Sequence, residues 1–241
     1  MRAVLVDPNA AGCLKMTDAP EPVPLSSQAL VQVKAMSLNL GEVRRARRSP
    51  AGTLLGWDVS GVVIESAADG SGPAVGERVV GVMNTGAWAE IAAVETEWMA
   101  VLPDSVSCAT AATLPVAGLT ALYALEQGGQ LLGQAVMVTG ASGGVGLFGV
   151  QLAKLSGATV TALIRRGALS ELVRMNGADH VVIGDDAEGA AAFGTFHCIL
   201  DSVGGQVLSD SLKLLGRCGS HINYGGSARE ESTIPGGGLF R

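Results

Sequence analysis

"VMVTGASGGVGLFGVQLAKLSGATVTALIRR", Val136–Arg166, decides the fold. "AVMVTG" reads as a β-strand, Gly143–Ser156 as a helix and "TVTALI" as the next strand. Gly140, Gly143, Gly144 and Gly146 crowd the junction between the first strand and the helix. There the first helical N–H groups lack intrahelical partners and the helix dipole favours an anion. A side chain at Gly143 or Gly144 would hold a pyrophosphate away from those amides, and glycine at 146 lets the helix lie close to the sheet. Ser142 can add a hydroxyl donor. The spacing is a variant of the dinucleotide fingerprint, and taken alone it also describes a flexible strand–helix turn. NAD-binding units usually end their second strand in an acid that binds the ribose 2′-hydroxyl. Here "TALI" is followed by Arg165 and Arg166, whose guanidinium groups match phosphate oxygens bidentately. The pair favours NADPH over NADH; the alternative is two ordinary loop charges.

Downstream of this unit the alternation continues. A helix over "ALSELVRMN" stops at Gly177, followed by "HVVI", a short helix near Ala187–Phe193, "CILDSV", a helix near Gln206–Leu215, and "SHINYG". Strands alternating with helices imply right-handed crossovers and a parallel sheet covered on both faces, with five strands in all. Upstream the texture differs. Short β-type runs ("RAVLVD", "ALVQVKAMSLN", "DVSGVVIES", "ERVVGVM", "AWAEIAAV") are separated by Gly, Pro, Asn and Asp turns, which indicates an all-β, barrel-like domain. "LPDSVSCATAATLPVAGLTALYALEQ" then turns helical, with Asp104 or Ser105 as cap and a break at Pro115. The division expected is 1–115 and 116–241.

Composition narrows the function. A net charge of −6 argues against a nucleic-acid surface, and "RRARR" at Arg44–Arg48 reads as a solvated helix or loop face. No apolar window is long enough to span a membrane, and "MRAVLVD" reads as a first strand. Cys13, Cys108, Cys198 and Cys218 are far apart with no Cys-x-x-Cys pair, which suits reduced, buried thiols in a cytoplasmic protein.

These segments, in this order, have a familiar look. "LLGWDVSGVV", "VGERVVGV", "GAWAEI", "AATLPVAGLTALYAL", "VTGASGGVGLFGVQLAK", "ILDSVGG" and "LLGRCGSHINYGG" resemble the medium-chain dehydrogenase/reductase superfamily, specifically its zinc-independent quinone oxidoreductase branch. The resemblance covers nearly the whole chain. It implies a GroES-like β-barrel domain followed by a Rossmann doubly wound parallel sheet, with the active site in the cleft between them. Where the zinc enzymes of the superfamily have ligand Cys and His, this chain has Asn39 and Trp57, neither a good zinc ligand, and the Cys-rich structural zinc lobe is missing. No metal is expected, and His180, His197 and His221 read as structural or surface residues.

The resemblance also implies contacts. Thr120 would face the nicotinamide end, with Asn223, Tyr224 and Gly225 following the flanking strand, and Val145 and Val203 beside the nucleotide loop and fourth strand. Asn39 would line the substrate pocket and offer its amide to a carbonyl, and Tyr224 or solvent would deliver a proton. Plain alternatives are a helix-capping threonine, a strand-end turn and a turn asparagine. Where the family often has Tyr after its third strand, "HVVIGDD" offers Gly184.

The function expected is an NADPH-dependent reductase of quinones or α,β-unsaturated carbonyls; an NADPH-binding regulator or scaffold, or a repurposed non-redox biosynthetic enzyme, are the alternatives. The chain stops soon after the fifth strand, with "NYGGSAREESTIPGGGLFR" in place of the sixth strand, helix and barrel return that the family has. In the order 3-2-1-4-5-6 this leaves strand five as an edge. A truncated form, or an edge covered by a homodimer mate or partner chain, is the expectation.

Overall fold

The computed structural model describes residues 1–234; the glycine-rich 235–241 lies outside the described residues. The chain divides into two compact units, Met1–Val116 and Ala117–Arg241.

The first unit is mostly β. Strand β1 (Arg2–Val6) pairs antiparallel with β2 (Leu14–Asp18). Then come β3 (Gln28–Met36), α1 (Leu40–Ala46), β4 (Asp58–Glu65), β5 (Arg78–Val82), β6 (Ile91–Glu95), β7 (Met99–Val101) and α2 (Cys108–Ala111). Five of these strands form a curled antiparallel half-barrel in the order β6-β3-β4-β5-β7. Period-two alternation puts Val31, Val59, Val63, Val79, Ala92 and Val94 on the buried face, where branched side chains pack well. A second cluster joins Val6, Ala46, Leu55 and Trp88, and the buried Trp88 indole donates to the Ser37 carbonyl at 3.2 Å.

Helix α2 is capped by Ser107, whose hydroxyl accepts from the Thr110 N–H at 3.1 Å, and neither Asp104 nor Ser105 serves. The reason is a preceding turn: Val106 N–H bonds the Pro103 carbonyl at 3.0 Å, which takes up residues 104 and 105. Pro115 falls in a wide turn, Leu114–Gly118.

The second unit runs α3 (Leu119–Glu126), β8 (Ala135–Thr139), α4 (Gly144–Leu155), β9 (Thr159–Ile164), α5 (Ser170–Met175), β10 (His180–Ile183), β11 (Phe196–Asp201), α6 (Gly205–Lys213) and β12 (Leu215–Asn223). Its sheet is parallel with the order β10-β9-β8-β11-β12. Numbered from the first strand of the unit, that is 3-2-1-4-5, a Rossmann order. Alternate residues feed two cores. Val136, Val138, Ala162, Ile164, Cys198 and Leu200 face one layer with Leu125, Val150 and Val173. Met137, Leu163, Ile199 and Val182 face the other, with Ala190 and Val207. Burial on both sides explains why these strands read as continuous apolar runs.

Among the described residues β12 pairs only with β11. A bulge interrupts that pairing, because Phe196 sits opposite Leu215 while Cys198 sits opposite Ser220. Cys218 lies in the bulge at φ 59° and is exposed. The expectation of four buried cysteines is therefore corrected: only Cys198 is buried, and Cys13 and Cys108 are partly open. Among the described residues no helix is long and apolar enough to cross a membrane.

Candidate active site

The glycines of the β8–α4 junction separate into two kinds. Gly140 has φ 58°, a left-handed conformation that disfavours a side chain, and a Cβ there would strike the Ser202 hydroxyl. At Gly146 a Cβ would lie 2.7 Å from the Ala141 Cα, so the helix could not lie this close to the turn. Both are required by the fold itself. Gly143 and Gly144 are different. Both are exposed, neither has positive φ, and a Cβ would meet only the Gly140 carbonyl at 3.3 Å or the Ala117 side chain at 3.7 Å. Packing does not demand glycine at 144 and presses on 143 only through the Gly140 carbonyl, whereas close approach by a ligand would demand both.

The helix makes its first backbone bond from Leu147 N–H to the Gly143 carbonyl at 2.9 Å. The amides of Gly144, Val145 and Gly146 precede that bond and have no acceptor among the described residues, so the turn presents a set of donors at a positive helix end. Ser142 is half-exposed beside them. This donor set fits a pyrophosphate. Arg165 and Arg166 follow the end of β9, both exposed, and neither enters an ion pair among the described residues. Thr120 is half-exposed in the first turn of α3, and its side chain does not cap that helix, whose N-cap is Gly118. Gly184 N–H bonds the Ile164 carbonyl at 3.1 Å, tying the end of β10 to that of β9.

A buried carboxylate organises the neighbouring strand ends. Asp201 closes β11 and accepts from the Thr139 hydroxyl at 2.6 Å, the Val203 N–H at 2.9 Å, the Gly204 N–H at 3.1 Å and the Asn223 amide at 2.8 Å. It thus joins the tips of β8, β11 and β12, and brings Val203 and Gly225 to the two sides of Ser202 beside Gly140. Sequence reasoning missed Asp201, although an acid ending an apolar central strand was a readable signal. Asn223 uses its two amide hydrogens on Asp201 and on the Gly225 carbonyl at 2.9 Å, so its side chain is a strand-end tie. Tyr224 packs against the core, its hydroxyl buried beside Ser202 with no partner of hydrogen-bond geometry among the described residues. Burial pushes this phenol up to about 12, against a smaller opposing effect of Ser202.

Within the first unit, Asn39 opens α1 at the centre of a second buried acidic group. Its amide nitrogen donates to Glu42 at 2.9 Å and to Asp58 at 2.6 Å. Glu42 also accepts from the Asn39 N–H at 2.7 Å and the Trp57 N–H at 2.6 Å. Asp58 takes the Val116 N–H at 2.7 Å and the Ser37 hydroxyl. Both carboxylates are fully buried. Burial raises the Glu42 carboxyl above its ordinary range despite the N–H bonds from Asn39 and Trp57, and nearby Asp58 adds to the rise. The amide hydrogens expected to meet a ligand carbonyl are therefore engaged within the fold. Glu42 and Asp58 were also missed, because a capping acid and a strand-leading acid look like surface residues in sequence.

The three histidines make structural contacts. His180 stacks on Phe193 at 4.3 Å, His197 Nε2 meets the Gly128 carbonyl at 3.1 Å, and His221 Nε2 meets the Ser211 hydroxyl at 2.9 Å. Among the described residues no three His, Cys, Asp or Glu side chains are grouped to hold a metal ion.

Comparison with known proteins agrees with this architecture. Residues 26–104 match the alcohol dehydrogenase GroES-like domain, and residues 144–240 match the family described as zinc-binding dehydrogenase. A chloroplast envelope quinone oxidoreductase homolog of Arabidopsis thaliana is 38% identical over 76% of this chain and 60% of its own length. The 2-methylene-furan-3-one reductase of Solanum lycopersicum is 35% identical over 63% of this chain and 43% of its own. A mycobacterial protein solved in complex with NADPH superposes with a TM-score of 0.87 at 26% identity, covering 99% of this chain and 78% of that one. The chain thus spans less than two thirds of the length of these two curated relatives.

Proposed function

The chain belongs to the medium-chain dehydrogenase/reductase superfamily, in its zinc-independent quinone oxidoreductase branch, and from that membership we propose an NADPH-dependent reductase of quinones or α,β-unsaturated carbonyls. That family is one of nicotinamide-binding oxidoreductases; the activity, cofactor and acceptor of this chain are the proposal.

One observation carries the reading. Gly144 is bare with only ordinary van der Waals contact in store for a Cβ, and Gly143 with only the Gly140 carbonyl at 3.3 Å, beside helix amides that have no acceptor among the described residues. The amides of Gly144, Val145 and Gly146, with Ser142, would hold the pyrophosphate, and Arg165 or Arg166 the 2′-phosphate. Gly140, Val203 and Gly225, on the lip organised by Asp201, would border the nicotinamide end, with Thr120 on the same unit. Bound there, NADPH supplies a hydride. The protein's part is to position the acceptor and polarise its oxygen by hydrogen bonds, which suits conjugated acceptors that spread charge. Tyr224, buried and with its phenol pushed up to about 12, is a poor acid, so the proton is assigned to solvent.

The test is oxidation of NADPH, and separately NADH, against a panel of quinones and enones. Stoichiometric NADPH consumption with product formation is expected. Tight NADPH binding with no turnover on any acceptor would instead favour the regulator or scaffold reading. A repurposed non-redox enzyme would need the cofactor without consuming it.

On assembly and location, β12 pairs only with β11 among the described residues, and the same reading has its other side paired by a second copy or a partner chain, checked by sedimentation. Four free thiols support a reducing compartment such as the cytoplasm, and fractionation of the native protein checks it.

A further inference from the structure

Two tryptophans of the first unit are placed in opposite ways. Trp88 is buried and its indole N–H is satisfied by the Ser37 carbonyl. Trp57 is only partly buried, and among the described residues its Nε1–H has no acceptor and is not enclosed. Its backbone is nonetheless pinned on both sides. The Trp57 N–H donates to the buried Glu42 carboxylate at 2.6 Å, and its carbonyl accepts from the Met83 N–H at 2.8 Å. The outer edge of the six-membered ring rests on Gly41: a Cβ there would lie 2.6 Å from Cη2 and 3.1 Å from Cζ3. No other side chain could be accommodated at 41 without moving the indole. A large aromatic ring is thus seated on a helix's first turn with its polar edge left open. Leu38 and Leu40, on either side of Asn39, stay exposed at 70% and 56%.

Beside this ring, Asn39 has both amide hydrogens on Glu42 and Asp58. Turning the amide over would set its oxygen against two carboxylates, so the buried acids hold it as it is. Among the described residues the indole Nε1–H of Trp57 is a hydrogen-bond donor left open at this corner. We infer that Trp57, rather than Asn39, is the residue that touches the acceptor, its ring face stacking on a flat aromatic quinone and its Nε1–H donating to the quinone oxygen. This rests on the proposed reductase function and narrows its substrate class to flat aromatic quinones over small aliphatic enones. Stacking and donation from one rigid side chain cost little conformational entropy. Glu42 and Asp58 are positioning residues in this scheme: they hold Asn39 and the Trp57 backbone, and so the plane of the ring.

The experiment separates this inference from the reductase reading by using binding without cofactor. Anthraquinone-2-sulfonate is titrated calorimetrically into the native chain and into Trp57→Phe, Trp57→Ala and Gly41→Ala, with thermal melts to verify folding. The native chain is expected to bind. Trp57→Phe, which keeps a ring and loses the donor, should bind about 3- to 10-fold more weakly. Trp57→Ala, which loses both, should bind more than tenfold more weakly. Gly41→Ala, which displaces the seated ring, should fall between them, while NADPH affinity stays unchanged in all three. If the native chain fails to bind the probe, or Trp57→Ala binds it as the native chain does, the inference is overturned. A native chain that binds the probe through Trp57 yet oxidises no NADPH would refute the reductase reading and leave the site standing.

Discussion

At the scale of single residues, the proposed choice of NADPH rests on charge. Arg165 and Arg166 stand exposed without an ion pair among the described residues, where a carboxylate would have repelled a 2′-phosphate. Replacing both with alanine should weaken NADPH binding by about 10- to 100-fold, the equivalent of roughly 1.5–3 kcal/mol for a charge-assisted contact, and leave NADH binding nearly unchanged. Parallel titrations of the two cofactors check it; equal NADPH and NADH affinity in the native chain would refute the assignment. Glu42 is a test of a different kind. Its loss in Glu42→Ala leaves the Asn39 N–H, the Asn39 amide and the Trp57 N–H without their acceptor, which should cost roughly 2–4 kcal/mol in urea unfolding. The pH dependence follows from a folded-state pKa raised above the ordinary 4.5. The folded chain then binds more protons than the unfolded one, so Glu42's contribution is full below pH 4.5 and declines as pH rises through the folded value. Glu42→Gln should flatten that slope. An unchanged slope would place the titration elsewhere.

At the scale of elements, the β8–α4 turn separates what folding needs from what binding needs. Gly146→Ala forces a Cβ to 2.7 Å from the Ala141 backbone and should cost about 1–3 kcal/mol as the helix lifts from the turn. Gly143→Ala and Gly144→Ala meet nothing closer than 3.3 Å and should leave the melting temperature within a few degrees, while NADPH affinity falls sharply. Melting curves and cofactor titrations on the three variants read both quantities. Loss of stability without loss of binding at 143 and 144 would mean that the two glycines serve the fold after all. The strand–helix alternation was legible because the central strands β8, β9 and β11 are buried on both faces and the turns that open α4 and α6 are rich in glycine. Caps were less legible. Asp104, Ser105 and Ser107 are all capable caps, and only the turn at Pro103–Val106 selects Ser107.

At the scale of the whole molecule, no cluster of three ligating side chains forms among the described residues, and the positions held by Asn39 and Trp57 are occupied by a donor amide and an indole. Purified protein should therefore carry no stoichiometric zinc, and a chelator should leave any reductase activity intact; bound zinc whose removal abolishes activity would overturn this. The sequence by itself determined the two-part plan, the alternation of strands and helices that makes a parallel sheet, and the glycine turn with its arginines; the order of the strands was implied only by the family resemblance. Those first three features are written in short-range periodicity and in backbone permissions that neighbouring residues alone decide. Only the tertiary structure decided which polar groups remain free. Asn39 and Asp58 are 19 residues apart and Asp201 and Asn223 are 22 apart, and their pairing removes the amide hydrogens of both asparagines from use by a ligand. A side chain's chemistry is read from its letter, but its availability depends on partners that chain folding brings from a distance, and burial makes those partnerships obligatory.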